Sequence, residues 1–575
     1  MFPLSIVVLT SLHECVFELR KIRTSGPKRI LNHLRQMTSR KDFGYPPRMK
    51  WLAMQVNHRV VGIAKFGRRG LKLVLLRGRV GDPEALFSRV PDRKRPDTPT
   101  IAQRRWIVLF MTVPEYGELF EKVTRREFLK GSAAIAAAIA TTSPALAATN
   151  PPAERQPESL LFLPPFLSRP TETSIRISAL NNSQAAEAVI ELRKDGLGDW
   201  ERRQPALKLS AYEVLDWNVK DLSPATRYEY RVLLKPSADE SLRPAASGSF
   251  RTQRKGPASY TAVLMTDPHT GSFPPGSAPV LTLDKVVQNA ARAKAEFVLD
   301  LGDNVAWRGS REFPQTSSDG ALSAYARYRR QIGPLSVQCP HFAVIGNWEG
   351  ESGKFPEKSI EIVAAVRRAM LPGPNHLTYP QGGSEREDYY AFSWGDVLYV
   401  MLNIQTYSKP SDPDRLPSLM ADVNKITEWT LGEKQMTWFE TTLKNATERF
   451  RFVCTHHPAG GNAGDPLNTL YGRGGARAWN TGEQARIHSL MKKHKVQIFF
   501  YGHDHVFVDD IVDGIHYTLP GSCGAPWKFT KAETGYERFW PDSGHAQLDV
   551  TPEKATVTFI NVEGKVLHNF SVVPS

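Results

Sequence analysis

Residues 260–269 read Tyr-Thr-Ala-Val-Leu-Met-Thr-Asp-Pro-His, an apolar run that ends in a carboxylate and an imidazole. The run has the length and composition of a buried β-strand, and a helical pattern over 282–295 follows it. This order is typical of a domain in which strands alternate with helices. It predicts an α/β domain whose functional side chains stand at the carboxyl ends of its strands.

The same arrangement recurs four times farther along the chain. Apolar runs at 297–301, 341–345, 451–455 and 496–501 end at polar clusters, which read Gly302-Asp303-Asn304, Gly346-Asn347-Trp348-Glu349, His456-His457-Pro458 and Gly502-His503-Asp504-His505. Imidazole and oxygen ligands without thiolates suit Zn, Mn or Fe. We therefore expect two metal ions at one sheet edge, bridged by a carboxylate. The glycines before Asp303, Asn347 and His503 are expected to allow tight turns that aim those side chains.

The ordered series D-x-H, G-D-x, G-N-x-E, H-x-P and G-H-x-H resembles the calcineurin-like metallophosphoesterase superfamily. The resemblance runs from about Tyr260 to Phe507, with a β-rich tail to Ser575, so we assign this domain to residues 258–575. It implies a four-layer αββα fold, with two packed sheets between helices. It also implies phosphoester hydrolysis at a dinuclear centre by a metal-bound hydroxide.

The resemblance carries a ligand set over residue by residue. It places Asp267, His269 and His505 on the first metal, Asp303 between the metals, and Asn347, His456 and His503 on the second. In purple acid phosphatases the first motif usually lacks the His, and a Tyr three residues after the bridging Asp binds ferric iron. Here that position is Ala306, so no purple charge-transfer colour is expected.

The third motif departs from the family pattern. It usually reads Gly-Asn-His, where the His stabilises or protonates the leaving oxygen, but this chain has Trp348. An indole N–H donates a hydrogen bond but does not give up its proton near neutral pH, whereas general acid catalysis contributes about 10²–10⁴-fold. Turnover on poor leaving groups is expected to suffer. Either His457 takes the role, or the natural substrate has a good leaving group; simple packing beside His456 is the other interpretation of His457.

A Gly-rich loop follows His456 and carries Arg473 and Arg477. Arginines beside a dimetal site can clamp a phosphate bidentately, and this is the substrate-binding role that we predict for the pair. Solvated loop arginines are the alternative. Trp348, Trp479 and Trp527 are either a stacking surface in the pocket or part of the core.

The net charge of +15 is concentrated at the amino-terminal end. Residues 1–110 carry 23 Lys and Arg against 7 Asp and Glu, and the remainder is near neutral. A nucleic-acid-binding function would rest on this segment alone, which has no zinc spacing and no regular aromatic–basic pattern. We expect residues 1–110 to be an extension of the reading frame or a disordered basic segment, with translation starting at Met111, and we expect no nucleic-acid partner.

Residues 111–147 resemble a twin-arginine (Tat) export signal. Arg125-Arg126 precede a weakly apolar run over 131–142 and the small-residue site Ala145-Leu146-Ala147. We expect the Tat machinery as a partner, a mature chain from about Ala148 without a stable membrane span, and a periplasmic or secreted location. The cysteines that remain, Cys339, Cys454 and Cys523, form no C-x-x-C pair, so no disulfide framework is implied.

Residues 158–254 alternate polar and apolar side chains in short runs between turns, which predicts a β-sandwich of the immunoglobulin or fibronectin III type. The turn at 222–226 precedes a Tyr-rich run, as in a tyrosine corner. The module resembles the one that precedes the catalytic domain in purple acid phosphatases, and we expect a structural role.

The leading hypothesis is an acid-phosphatase-like metal-dependent phosphoester hydrolase acting on a small-molecule phosphoester. A phosphodiesterase or nucleotide hydrolase of the same fold is one alternative, because the shared core handles all of these esters. The other is a catalytically weakened metal-binding homologue, which the presence of Trp348 motivates.

Overall fold

The structure is a computed structural model of the 575-residue chain. It describes residues 161–181, 187–209, 214–237, 240–306, 318–353, 355, 357–408, 430–457, 483–528, 530 and 536–575, together with the backbone of five earlier strands. The chain divides into two compact units, Met1–Val113 and Pro114–Ser575. Met111, the twin arginine and the predicted cleavage site lie outside the described residues.

The first unit contains a five-stranded antiparallel sheet in the order β2-β1-β3-β4-β5. Its strands are β1 (Leu4–Leu9), β2 (Glu14–Leu19), β3 (Trp51–Val56), β4 (Arg59–Gly67) and β5 (Gly70–Val74). No strands were predicted here, because the apolar runs are short and set among basic residues.

The second unit begins with a β-sandwich, as predicted from the alternating runs. One sheet contains β6 (Leu161–Ser168), β7 (Ile175–Asn181) and β11 (Val214–Val219); the other contains β8 (Glu187–Lys194), β9 (Leu197–Arg202), β10 (Leu207–Lys208), β12 (Arg227–Lys235) and β13 (Arg243–Arg251). Their inner faces share one core, which includes Ile177, Ile190 and Trp217. The Ser223 amide donates to the Tyr228 hydroxyl at 2.9 Å, which is the tyrosine-corner contact that the turn sequence predicted.

Two mixed sheets follow the sandwich. The first has the order β16-β15-β14-β24-β25-β26 and the second β17-β18-β19-β20-β22-β21-β23. The strands of the first sheet are β14 (Tyr260–Met265), β15 (Phe297–Asp300), β16 (His341–Ala343), β24 (Gly544–Val550), β25 (Ala555–Asn561) and β26 (Val566–Val572). Those of the second are β17 (Tyr390–Trp394), β18 (Val397–Met401), β19 (Phe450–Cys454), β20 (Ile498–Phe500), β21 (Phe507–Val512), β22 (Ile515–Pro520) and β23 (Phe539–Trp540).

Alternate side chains of each central strand point to opposite faces, and this alternation builds the layers. Leu264 of β14 packs between the two sheets with Phe452 and Phe500, whereas its neighbour Val263 packs under helices on the outer face. Those helices are α1 (Ala278–Arg292), α2 (Ser318–Gln331), α3 (Gly333–Ser336) and α4 (Glu357–Met370). The outer face of the second sheet is covered by α5 (Glu433–Asn445) and α6 (Glu483–Lys493), so the predicted αββα order is confirmed.

The sandwich is held to α2 and α3 by specific hydrogen bonds. The buried Arg329 guanidinium donates to the carbonyls of Pro164 and Ser178 at 2.7 and 2.8 Å. The Tyr230 hydroxyl donates to the Val337 carbonyl at 3.0 Å. These contacts support the structural role that was expected for this module.

Asp509 of β21 joins the two sheets. Its carboxylate contacts His516 of β22 at 2.6 Å, His568 of β26 at 2.9 Å and Arg538 at 3.2 Å. Because β26 belongs to the first sheet and β21 to the second, this buried carboxylate ties the carboxyl-terminal strands across the core.

Candidate metal centre

The predicted ligands meet at one edge, to which both sheets contribute. The first sheet supplies Asp267, His269, Asp303 and Asn347 from the turns after β14, β15 and β16, and the second supplies His456, His503 and His505 from the turns after β19 and β20. The turns are tied together through their backbones: Asp267 N donates to Gly302 O at 3.0 Å, and Gly502 N donates to His456 O at 2.9 Å. The seven side chains are all buried.

Asp267, His269, Asp303 and His505 form the first cluster, with one potential ligand atom of each within 4.8 Å of the others. His505 Nε2 lies 3.3 Å from Asp267 Oδ1, and His269 Nε2 lies 3.6 Å from the same oxygen. His505 Nδ1 contacts the Trp527 carbonyl at 2.9 Å, which orients the ring so that Nε2 faces the cluster.

The second cluster contains His456, His503 and Asn347. Asn347 Oδ1 lies 3.1 Å from His456 Nε2 and 3.0 Å from His503 Nδ1. His456 Nδ1 contacts the Leu301 carbonyl at 2.7 Å, an outer hydrogen bond like the one that orients His505. His456, His503 and His457 also present ring nitrogens within 4.8 Å of one another.

Asp303 stands between the clusters. Its Oδ2 lies 3.3 Å from His269 Nε2 on one side and 3.2 Å from His456 Nε2 on the other. Its Oδ1 accepts the Trp348 backbone N–H at 2.8 Å, which fixes the carboxylate plane. One oxygen of Asp303 therefore faces both clusters.

The donor set fits metal ions. Ligand atoms about 2.0–2.2 Å from a common ion are about 2.8–3.6 Å from each other in octahedral or tetrahedral geometry, and the distances between potential ligand atoms given above fall in that range. Asp267 Oδ1, Asp303 Oδ2 and both ring nitrogens of His269 are buried without a hydrogen-bond partner. Buried polar atoms are normally satisfied, so these unpaired atoms point to cations as their partners.

The backbone of the site is in a rarely occupied conformation. Asp267, His269, Asp303, His503 and His505 all have positive φ, between 48 and 79°. Left-handed backbone at a non-glycine residue costs about 1–3 kcal/mol and concentrates at functional sites. Five of the predicted ligands adopt this conformation, which is typical of turns that serve a functional site rather than local stability.

The glycines act differently from the prediction. Gly302 has positive φ, as expected of a turn glycine. Gly346 and Gly502 do not; after Gly502 the positive φ falls on His503 itself, and Asn347 after Gly346 has none. A Cβ on Gly346 would overlap Asp303 Oδ1, and one on Gly502 would overlap Thr266 Oγ1. These two glycines are needed for close approach.

Burial and the opposite charges act against each other in setting the pKa values. Burial would raise the pKa of Asp267, but His505 and His269 outweigh it and hold that pKa well below its ordinary range. Burial would lower the pKa of His456, but Asp303, Asp267 and Glu349 outweigh it and raise the pKa to about 9. Without cations, protons therefore hold part of this cluster together, and metal binding would release them.

Trp348 lies at the side of the first cluster. Its half-buried ring meets the His269 ring edge-on, with centroids 5.2 Å apart. His457 is fully buried, stacks on His503 at 4.1 Å, and contacts the side-chain amide of Gln405. These contacts agree with the packing interpretation of His457. Ala306, at the position of the ferric-iron tyrosine, is fully buried.

The segment Ser522–Lys528 covers the first cluster, and Trp527 is its one residue that was considered for the pocket from the sequence. The Trp527 ring packs against His269 and His505 with centroids 5.1 and 5.2 Å away, yet the residue is 40% exposed. Burial lowers the pKa of Lys528 to about 8 against the attraction of Asp267. Burial, together with the nearby Lys528 ammonium, lowers the pKa of His505. No motif marks Lys528, because it stands in a loop outside the five polar clusters.

Arg473, Arg477 and Trp479 lie outside the described residues.

Comparison with known proteins identifies the domain that carries this centre. Residues 260–507 match the family described as calcineurin-like phosphoesterase. This part of the chain is a calcineurin-like phosphoesterase domain. The protein is therefore a phosphoesterase-type hydrolase, as the ordered motifs predicted. Residues 122–142 match the TAT (twin-arginine translocation) pathway signal sequence, so the predicted export signal, and with it a periplasmic or secreted location, is confirmed.

Individual relatives of this phosphoesterase agree with that assignment. The tartrate-resistant acid phosphatase type 5 of Oryctolagus cuniculus is 26% identical over 317 residues, which are 50% of this chain and 80% of the relative. That of Sus scrofa is 27% identical over 311 residues, 48% of this chain and 74% of the relative. The solved structure of PhoD has the same fold, with a TM-score of 0.55 and 15% identity over 74% of this chain and 92% of PhoD. No helix in the described part of the chain has both the length and the apolar character needed to cross a membrane.

Proposed function

We propose that this phosphoesterase hydrolyses small phosphate esters, phosphomonoesters above all, at a pair of metal ions bridged by Asp303. The observation that carries the proposal is the position of Asp303 Oδ2, 3.3 Å from His269 Nε2 and 3.2 Å from His456 Nε2, buried and without a hydrogen-bond partner. Asp267, His269 and His505 would hold one ion, and Asn347, His456 and His503 the other. The acid-phosphatase relatives support the ester class.

When bound, such a pair of ions would supply the hydroxide nucleophile and neutralise charge on the phosphoryl group. The protein's own part is to hold the donors in place through the Leu301 and Trp527 carbonyls and the Trp348 amide. Oxygen and imidazole donors suit Fe, Zn or Mn. Arg473 and Arg477 are proposed to clamp the phosphate from the loop after His456, and Trp348 to line the leaving-group side.

The test removes the bridging oxygen. We expect the purified full-length protein to contain close to two metal ions per chain and to hydrolyse 4-nitrophenyl phosphate. Asp303→Ala should lose both bound metal and hydrolysis, whereas the matched control Asp549→Asn should keep both, because Asp549 lies on β24 and its carboxylate bonds Thr261 and Gln547. A wild-type protein that binds no metal, or an Asp303→Ala protein that keeps both ions and full activity, would overturn the proposal.

A metal-binding protein with little catalytic activity is the second candidate, and Trp348 favours it. The indole stands next to His269 where the family's proton donor is expected, and His457 is stacked on a ligand and bonded to Gln405. This candidate predicts a full metal content with poor turnover of every ester. The phosphodiesterase alternative predicts faster hydrolysis of diesters than of monoesters on the same metal-loaded protein.

We further propose that residues 111–147 are removed on export and that residues 158–254 support the catalytic domain of residues 258–575 structurally. The contacts of Arg329 and Tyr230 with opposite sides of that junction support the structural role. Peptide sequencing of the native amino terminus tests the first part: a start near Ala148 is expected, and recovery of peptides from residues 1–110 would contradict it.

A further inference from the structure

The segment Ser522–Lys528 is fastened to the first metal cluster along its length. The Cys523 amide donates to the Thr266 carbonyl and the Ala525 amide to the Asp267 carbonyl, both at 3.0 Å. A Cβ on Gly524 would overlap the Pro268 carbonyl, so only glycine allows this approach. The segment thus forms a fixed wall of the site rather than a loose cover.

The end of this wall reaches both the ligands and the solvent. The Trp527 carbonyl accepts His505 Nδ1 at 2.9 Å, while its ring touches His269 and remains 40% exposed. Trp527 therefore lies between the ligands and the solvent. A substrate that approaches the ions along Trp527 passes its neighbour Lys528.

Lys528 is an unusual cation for this position. It is half-buried, and its ammonium donates to the Ala525 carbonyl at 3.1 Å, but no carboxylate of the described residues forms an ion pair with it. An ammonium has three hydrogen-bond donors. Removing an ammonium group from water without an anionic partner is unfavourable. The Ala525 amide in turn donates to the backbone carbonyl of Asp267, a predicted metal ligand. Ala525 therefore links the Lys528 ammonium to the first cluster.

We propose that Lys528 binds a non-bridging oxygen of the substrate phosphate and makes the centre selective for dianionic phosphomonoesters over monoanionic diesters. The inference rests on the proposed function and narrows its substrate class. A fixed positive charge attracts a doubly charged ligand about twice as strongly as a singly charged one. Hydrogen bonds to charged groups are stronger than neutral ones, so the phosphate would supply the anionic partner that the described part of the chain does not.

The experiment compares Lys528→Met, Lys528→Arg and the control Lys492→Met in the full-length, metal-loaded protein. Lys492 is an exposed lysine of α6 that pairs with Asp513 and contacts none of the predicted ligands among the described residues, so its variant should behave as wild type. Three quantities are measured: metal content, the dissociation constant of inorganic phosphate, and kcat/KM for 4-nitrophenyl phosphate and bis(4-nitrophenyl) phosphate.

We expect Lys528→Met to keep its metal, to bind phosphate roughly 10- to 100-fold more weakly, and to lose a similar factor on the monoester. The loss on the diester should be at least threefold smaller, and Lys528→Arg should recover most of the phosphate affinity. Equal losses on both esters, or unchanged phosphate binding, would overturn the role of Lys528 while leaving the proposed function intact. A wild-type protein without metal or activity would instead overturn the proposed function, and this inference with it.

Discussion

Replacing Trp348 by His tests whether the missing proton donor limits this enzyme. The Trp348 backbone amide, which holds Asp303 Oδ1 at 2.8 Å, is unaffected by a side-chain change. The indole meets His269 edge-on at 5.2 Å and is half-buried, so a smaller imidazole fits in the same space. Both ions should therefore remain bound in Trp348→His.

The expected gain depends on the leaving group. An alkoxide leaves poorly and needs a proton, so kcat/KM for an alkyl phosphate should rise by about 10²-fold or more, within the range of about 10²–10⁴ for general acid catalysis. 4-Nitrophenolate leaves readily without a proton, so its rate should change by less than about threefold. The lost ring packing should cost about 1–3 kcal/mol of stability, less than the 3–5 typical of Trp→Ala.

The assay measures both esters on wild type, Trp348→His and the control Trp348→Phe, with metal content determined for each. Trp348→Phe removes the indole N–H without supplying an acid, and should raise neither rate. An equal rise on both esters, or no rise on the alkyl ester with both ions still bound, would refute the reasoning that Trp348 replaces a proton donor.

Three further predictions concern the scaffold. Gly346→Ala should lower metal content and the melting temperature, because the new Cβ would overlap Asp303 Oδ1; metal analysis and a thermal melt measure both, and unchanged values would contradict the close approach. Burial opposes ionisation of Asp509, but the hydrogen bonds of its carboxylate with His516 and with the histidine of β26 outweigh burial and lower the pKa of Asp509 below the ordinary 3.8. Ionised Asp509 therefore contributes its full stabilisation of the fold at pH values above the ordinary pKa. This contribution is lost as the pH falls through the lower pKa of the folded state. In urea unfolding, Asp509→Asn should cost about 1–3 kcal/mol at pH 7, a difference that shrinks at pH 3; a constant difference would contradict the linkage. Iron-loaded protein should show no tyrosinate charge-transfer band in its visible spectrum, because Ala306 offers no phenolate, and a purple protein would contradict this ligand set.

The strand-and-turn order of the catalytic domain was predictable because buried strands carry continuous apolar runs. The run at 297–301 became β15 (Phe297–Asp300), and the run at 451–455 became β19 (Phe450–Cys454). Helix α1 begins at Ala278, earlier than expected, because Pro279 suits the first turn of a helix. Helix α4 (Glu357–Met370) was missed, although its periodicity was available in the sequence.

The ligand candidates were predictable because each follows a strand. Which of them would face both clusters was not predictable. Sequence order does not reveal that Asp303 Oδ2 faces both His269 and His456, since this depends on how the two sheets pack. Nor could spacing reveal Lys528, which reaches the site only because its loop bonds the Asp267 carbonyl. Such contacts are tertiary, and short motifs carry no information about them.

Each metal cluster draws ligands from both sheets: His505 joins residues of the first sheet, and Asn347 joins residues of the second. An ion in either cluster would therefore link the two sheets of the αββα fold to each other. Stripping the ions should loosen the seam between the sheets as well as stop catalysis. A Tat substrate crosses the membrane after folding. Binding of the metal ions in the cytoplasm would therefore fix the choice of metal before the protein meets the ions outside.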